Sequence, residues 1–169
     1  MMKQPTKDGF AQKKIGSKKP DGFSDNPIRA QVTLGLEQRG RAIDVVMVAG
    51  KACDEAASNI LRQTKEGEFY LAIEKDTIIS FALSDKIDWR WNQKQAALTT
   101  KDDRESLYAV DGGFDDPLTG EIQFYCKARG GDVPQTDGLS IAVDLQQSGG
   151  SYLPITIDPD IRNPPPGGG

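Results

Sequence analysis

The sequence predicts an all-β fold in which two antiparallel sheets pack face to face, as in immunoglobulin-like or jelly-roll-like sandwiches. Three observations support this prediction. Apolar and polar residues alternate in about nine short segments, which is the period of a half-buried strand. Clusters of Gly, Asp, Pro and Ser separate these segments, and no helical period recurs between them. The pattern therefore favours many short strands joined by turns.

A β-hairpin is predicted at the start of this pattern. Every second side chain of residues 28–36 is apolar, so that one face of the strand is apolar. The stretch 38–41 supplies a turn, and residues 42–49 form a second strand that we expect to be the more buried of the two. Residues 51–64 then have helix-compatible spacing, and we expect at most one short helix near residues 52–63.

Six further strands are predicted after residue 67, with a weaker one at 96–100. They cover residues 68–73, 77–83, 87–91, 121–129, 139–145 and 153–157. The side chains predicted to face inward are large and mostly aliphatic or aromatic: Phe69, Leu71, Ile73, Ile79, Phe81, Leu83, Trp89, Trp91, Ile122, Phe124, Cys126, Leu139, Ile141, Val143, Leu145, Ile155 and Ile157. They are sufficient to fill the space between two sheets.

The two ends of the chain differ in composition from the predicted domain. Residues 1–26 contain six lysines and three aspartates, a net charge of +3, with few apolar residues, and we expect a flexible basic arm. No arginine or aromatic pattern in this arm marks a nucleic-acid platform, so a nucleic-acid partner is not expected. Residues 27–163 are predicted to be a single β-sandwich domain, and residues 164–169 a disordered Pro/Gly tail.

Composition excludes several kinds of chemistry. The chain contains no histidine, which excludes Ser–His and Cys–His nucleophilic systems and histidine-ligated zinc. Its two cysteines, Cys53 and Cys126, lie far apart, and Cys126 is expected to be a buried thiol. No segment is long and apolar enough for a membrane span or a signal peptide, so we expect a cytoplasmic protein.

The acidic stretch 110–121 is the best candidate for a metal site. Asp111, Asp115, Asp116 and Glu121 offer the oxygen ligands that calcium prefers, although the spacing is not that of an EF-hand. The other interpretation is a plain loop, because Asp-Gly and Asp-Pro are ordinary turn sequences. We therefore predict no cofactor and keep calcium as the alternative.

The motif Trp89-Arg90-Trp91 is the candidate ligand-binding feature. With a period of two, Trp89 and Trp91 share a face with Ile87, and aromatic residues on such a face usually belong to the core. The alternative is that both indoles are exposed and bind a small ligand or a sugar.

The stretch 155–169 runs from an alternating strand into Asp-Pro and then into prolines and glycines. Pro159 ends the strand because proline cannot donate a ladder hydrogen bond, and Ile161 is expected to anchor the return. With Asp158, Asn163 and Pro164, this segment resembles bacterial inclusion-body proteins of the PixA/AidA type and "DP-EP" β-sandwich proteins. The resemblance implies a cytoplasmic sandwich with a binding or assembly role and brings no catalytic residues.

The absence of a recognisable catalytic group leads to a functional hypothesis. We expect a non-enzymatic bacterial β-sandwich protein that acts by self-assembly or macromolecular binding, with itself or another protein as partner and no membrane partner. The alternative is a small-ligand or carbohydrate-binding module, assisted by calcium, that uses the tryptophan strand and the acidic loop at residues 111–121.

Overall fold

The computed structural model describes residues 18–50, 56–101, 106–110 and 118–166. Within these ranges the chain forms twelve strands and one 3-10 helix at Ala56–Asn59. The first six strands are β1 (Ile28–Arg39), β2 (Ala42–Ala49), β3 (Leu61–Gln63), β4 (Phe69–Ala72), β5 (Thr77–Leu83) and β6 (Trp89–Trp91). The others are β7 (Leu98–Thr100), β8 (Tyr108–Val110), β9 (Ile122–Cys126), β10 (Thr136–Gln146), β11 (Tyr152–Ile157) and β12 (Asp160–Arg162).

The strands form two sheets, which confirms the predicted all-β sandwich. The first sheet has the order β2-β1-β5-β9-β8. The second has the order β11-β10-β12-β4-β3, and β6 and β7 pair with β10 as well. β10 thus pairs with four strands and is the central strand around which the second sheet is built.

The sheets are mixed, whereas the sequence predicted antiparallel pairing throughout. β1 pairs with β5 in parallel, with Ala30 opposite Ile79, and β12 pairs with β4 in parallel. Both pairs join strands that are distant in sequence. Alternation of apolar residues determines which face of a strand is buried but carries no information about strand direction. The predicted direction was therefore wrong for these two pairs, whereas other pairs that are distant in sequence, such as β5–β9 and β6–β10, are antiparallel as predicted.

The predicted β1–β2 hairpin is confirmed, with Leu34 opposite Met47. Gly40 in its turn has φ +61°, a left-handed conformation that glycine adopts without steric cost. β2 is not the more buried strand, because it is an edge strand in which only Met47 is buried and Ile43 is 61% exposed. The helix predicted near 52–63 is reduced to the 3-10 helix followed by β3, and residues 51–55 lie outside the described ranges.

Alternate side chains from both sheets form one core. Leu34, Phe81 and Phe124 project from the first sheet and are fully buried. Leu71, Ile141 and Trp91 fill the core from the second sheet. Burial of each such side chain stabilises the fold by about 1.5–3 kcal/mol. Cys126 is a free, buried thiol, as predicted, and burial raises its pKa well above the ordinary value.

The folded part extends beyond the predicted boundaries at both ends. Residues 18–26, predicted as part of a flexible arm, pack on the first sheet: Phe23 is buried and meets the Tyr125 ring edge-on at 5.3 Å. At the other end Ile161 is fully buried, as expected of an anchor, and Pro165 is buried as well. In both segments a buried apolar residue acts together with hydrogen bonds, from Ser24 N to Asp76 at one end and through the pairing of β12 at the other. The rest of the predicted arm and tail, residues 1–17 and 167–169, lies outside the described ranges.

None of the helical segments that the structure describes has the length and apolar composition needed to cross a lipid bilayer.

Candidate functional site

A cleft of about 390 Å³ opens where β5 ends and β6 begins. It is larger than the clefts of about 290 and 220 Å³ near Met47 and Ile60. Its lining combines apolar, aromatic, carboxylate and neutral polar side chains: Leu83, Ser84, Asp85, Ile87, Asp88, Trp89, Thr119, Gln146 and Tyr152. A cleft of this size and mixed lining is typical of small-molecule sites.

The turn between β5 and β6 forms one wall of the cleft. Ser84 N donates to Leu34 O at 2.9 Å, and the Ser84 hydroxyl accepts from Lys86 N at 3.3 Å. The Trp89 indole N–H donates to Ser84 O at 3.0 Å. The hydrogen bond from the buried indole fixes the backbone of this turn, which carries Asp85 and Asp88.

The opposite wall comes from β10 and β11, where Gln146 pairs directly with Tyr152. Gln146 N also donates to Asp88 O at 2.8 Å, which ties this wall to the turn. Asp85 and Asp88 are exposed, and no lysine or arginine lines the cleft. The lining is therefore anionic and attracts cations or cation-bound ligands.

An ordered group of charged side chains supports Tyr152. The Arg90 guanidinium carbon lies 3.7 Å from the centroid of the Tyr152 ring. Arg90 Nε donates to Asp144 Oδ2 at 3.2 Å, and Asn92 Nδ2 donates to Asp144 Oδ1 at 2.8 Å. Asp144 and Asn92 are both buried. Tyr152 is consequently an exposed aromatic residue with a fixed cation on one face.

Both predicted ligand-binding indoles lie in the core. Trp89 is 5% exposed and Trp91 is 1% exposed. Trp91 Nε1 donates to Gly120 O at 2.7 Å, and Trp91 N donates to Leu118 O at 2.8 Å. The structure thus brings the tryptophan strand against the end of the acidic loop, and Trp89 and Thr119 line the same cleft. Both indoles are therefore buried, and Trp89 alone of the two lines the cleft.

The predicted metal ligands lie mostly outside the described residues, which applies to Asp111, Asp115 and Asp116. Glu121 is described: its two carboxylate oxygens accept from Gln31 Nε2 at 2.9 Å and from Ser80 Oγ at 2.8 Å. In the described part of the chain, no three acidic or cysteine side chains come close enough to hold a metal ion. The calcium alternative stays a prediction.

A second polar centre is buried at the far end of the sandwich. The Tyr108 hydroxyl donates to Asp137 Oδ2 at 2.5 Å, and Arg129 Nη2 donates to Asp137 Oδ1 and Oδ2 at 2.7 and 2.8 Å. Asn163 Nδ2 donates to the Tyr108 hydroxyl at 3.1 Å, and Asn163 Oδ1 accepts from Arg129 N at 2.7 Å. Through this centre, Asn163 of the C-terminal segment is linked to Tyr108 on β8 and to Arg129 in the loop after β9. Arg129 is linked in turn to Asp137 on β10.

The environment of this centre favours a neutral tyrosine. Burial, followed by the hydrogen bond to Asp137, raises the pKa of Tyr108 far above its ordinary value. Asp137 and Gln146 lie nine positions apart on β10, a distance of about 30 Å at strand spacing. The buried centre is thus remote from the cleft. Except for Arg129 Nε, its buried side-chain polar groups have hydrogen-bond partners within the protein, so we assign it a structural role.

Four of the polar or aromatic residues that line the cleft were not predicted from the sequence: Asp85, Asp88, Gln146 and Tyr152. The first two occupy an ordinary turn sequence, and the other two lie on strands far along the chain. Only the pairing of β6, β10 and β11 brings them together. The signal available was the proximity of Asp85 and Asp88 to Trp89.

Comparison with known protein families gives a match over most of the chain. The family model pNTSase1, described as a predicted novel nucleotide synthetase, matches residues 6–166. A search of curated proteins finds no match. The resemblance of the C-terminal segment to PixA/AidA-type and "DP-EP" proteins has no counterpart in this match and stays a resemblance.

The family match corrects the functional hypothesis drawn from sequence. A non-enzymatic protein that acts by self-assembly or macromolecular binding, or a carbohydrate-binding module in its place, does not agree with a family of predicted synthetases. The absence of histidine excluded histidine chemistry only. An enzyme that binds cation-bound phosphates through carboxylates needs no histidine. The sequence contains no motif that we recognised for such a site.

Proposed function

The chain belongs to the pNTSase1 family of predicted nucleotide synthetases, and from this premise we propose that it is an enzyme of nucleotide synthesis. We propose further that it binds its nucleotide in the cleft between the β5–β6 turn and Tyr152. The single observation that carries this assignment is the cleft itself. It combines a volume of about 390 Å³, two carboxylates and an exposed aromatic ring.

The size and lining of the cleft support a nucleotide as ligand. Ligand sites of about 300–1,000 Å³ enclose molecules of this size. Tyr152 offers a ring surface for a nucleobase, because stacking on aromatic side chains is a common way to hold a base. Ser84, Thr119 and Gln146 supply neutral polar groups for hydrogen bonds to base or sugar.

The charge of the cleft determines the form in which a nucleotide would bind. Asp85 and Asp88 would repel bare phosphates, and no cationic side chain in the lining offsets them. Mg²⁺ is commonly bound by one or two protein carboxylates together with substrate phosphates, and this donor set fits Asp85 and Asp88. Such an ion, when bound, neutralises phosphate charge and polarises the phosphoryl group. The chain's own carboxylates would hold and orient the cation-bound phosphates.

Calorimetric titration with ribonucleoside triphosphates, with and without Mg²⁺, tests the proposal. We expect binding in the presence of Mg²⁺ and its loss when the ion is chelated. Asp85→Asn and Asp88→Asn should each weaken binding by about tenfold or more, because each removes one charge from the cation site. Asp132→Asn is the matched control, since Asp132 is an exposed carboxylate outside the cleft.

Activity is measured as release of phosphate or pyrophosphate from the bound triphosphate. Absence of nucleotide binding with Mg²⁺, or Asp85 and Asp88 variants that bind like the parent protein, would contradict the assignment.

We also propose a cytoplasmic location, which the free thiol of Cys126 supports because thiols persist in reducing compartments. A protein partner or self-association stays a prediction from sequence.

A further inference from the structure

We propose that the nucleotide of this site carries adenine, with the base stacked on Tyr152 and its amino edge bound by Gln146. We assign Arg90 as a positioning residue that holds the Tyr152 ring. This inference depends on the proposed nucleotide site and adds the identity of the base to it. Three features of the β6–β10–β11 surface carry it.

The first feature is the ring. Tyr152 lines the cleft and is 38% exposed, so that ring surface is available to a ligand. The Arg90 guanidinium covers the ring at 3.7 Å from its centroid. A cation on one face of a ring attracts its π electrons and favours an electron-rich partner on the remaining surface. Purines offer a larger and more electron-rich surface than pyrimidines.

The second feature is the group of hydrogen bonds that fixes the Arg90 side chain. Arg90 lies directly opposite Asp144 in the β6–β10 register. The Asp144 carboxylate accepts from Arg90 Nε at 3.2 Å and from Asn92 Nδ2 at 2.8 Å. Asn92 Oδ1 in turn accepts from the backbone N–H groups of Lys94 and Gln95 at 2.8 and 2.9 Å. Each group is fixed by the next, so the position of the guanidinium is set before any ligand arrives.

The third feature is the amide that faces the ring. Gln146 pairs directly with Tyr152, and side chains at directly opposed positions project from the same face about 5 Å apart. Gln146 lines the cleft, and its backbone N–H is already occupied by Asp88 O. The residue is exposed, so its side-chain amide can reach a ligand stacked on the neighbouring ring.

The hydrogen-bonding groups of that amide distinguish adenine from guanine. A glutamine amide pairs with adenine by accepting from N6–H and donating to N7. Guanine presents two acceptors, O6 and N7, at the same edge, and its O6 would face the amide oxygen. Pyrimidines lack N7 and have a smaller ring. The chemistry of Gln146, placed beside a cation-backed ring, thus selects adenine.

Competitive titration of ATP, GTP, CTP and UTP with Mg²⁺ tests this assignment on the full chain. We expect ATP to bind about tenfold more tightly than GTP, within the range that one bidentate amide contact provides. Gln146→Leu should bring ATP and GTP to nearly equal affinity. Gln123→Leu, an exposed glutamine on β9, is the matched control and should preserve the preference.

Variants of the ring and its cation test the positioning role. Tyr152→Phe keeps the ring and should keep the purine preference, whereas Tyr152→Leu should lose it. Arg90→Lys keeps the positive charge but loses the contact between the planar guanidinium and the Tyr152 ring. It should weaken the binding of ATP more than that of CTP. A general effect on folding would weaken the binding of all four nucleotides equally. Thermal unfolding of each variant shows whether that variant is folded.

The outcomes separate this inference from the proposed function. If no nucleotide binds to the parent protein, the proposed function fails and the inference fails with it. If nucleotides bind but all four have equal affinity, or if Gln146→Leu leaves the ATP:GTP ratio unchanged, the adenine assignment is overturned while the nucleotide site stands. If Arg90→Lys weakens ATP and CTP equally, the positioning role is overturned.

Discussion

Asp137 is the residue on which the buried polar centre depends, because its carboxylate accepts from both Tyr108 and Arg129. Its side chain is 2% exposed and that of Arg129 is 17% exposed. We expect Asp137→Ala to lower the free energy of unfolding by about 3–5 kcal/mol, since it leaves a largely buried guanidinium without its counter-charge. Urea denaturation provides the measurement.

Glu74→Ala is the control for that prediction. Glu74 lies 3.5 Å from Arg62, but its side chain is 65% exposed, and such pairs contribute about 0–1 kcal/mol. If both variants lost the same stability, burial would not be the reason for the effect.

Tyr108 makes stability depend on alkaline pH. Its pKa is raised in the folded state, so the unfolded chain releases the proton first, near the ordinary value of 10.0. The stabilisation is fully present below about pH 10 and decreases as the pH rises above it. We expect Tyr108→Phe to show a shallower decrease than the parent protein in denaturation series from pH 8 to 11. Cys126 contributes with the same sign in both proteins, because burial raises its pKa as well, and so it does not account for a difference.

At the scale of elements, the end of β2 is packed too closely against β1 to accept a larger residue than Gly50. A Cβ at Gly50 would lie 2.9 Å from Gln31 Cβ and 2.7 Å from Gln31 Oε1. We expect Gly50→Ala to cost about 1–3 kcal/mol of unfolding free energy through overpacking. In Gly149→Ala the new Cβ meets nothing within 4 Å, and thermal unfolding should show little change. If Gly50→Ala left the free energy of unfolding unchanged, the Gln31 side chain would be able to move aside without cost.

The elements also show where sequence is informative. Strands with several alternating residues, such as β1 and β5, were found because burial of one face requires that pattern. β8 and β12 have three residues each and were not predicted as strands, whereas the equally short β6 and β7 were predicted because they lie within longer segments with a strand-like pattern. In the cleft, Trp89 was identified as a candidate from its motif. Gln146 and Tyr152 were not, because a tertiary pairing places them there.

At the scale of the whole molecule, the two sheets share one core and should unfold together. Leu34 belongs to the first sheet, whereas Trp89 and Trp91 belong to the second. We expect Leu34→Ala to lower the free energy of unfolding by about 2–5 kcal/mol, as large-to-small core substitutions do. The tryptophan fluorescence and far-ultraviolet dichroism transitions should shift by the same amount. Separate transitions would show that the sheets unfold independently.

The parallel pairing of β12 with β4 has a consequence for biosynthesis. β4 is made early, yet one of its hydrogen-bonded neighbours, Asp160–Arg162, is made about ninety residues later. During synthesis, that edge of β4 lacks its partner until residues 160–162 are made and accessible, and until then it is open to wrong pairing. Completion of the second sheet must therefore wait until residues 160–162 have left the exit tunnel.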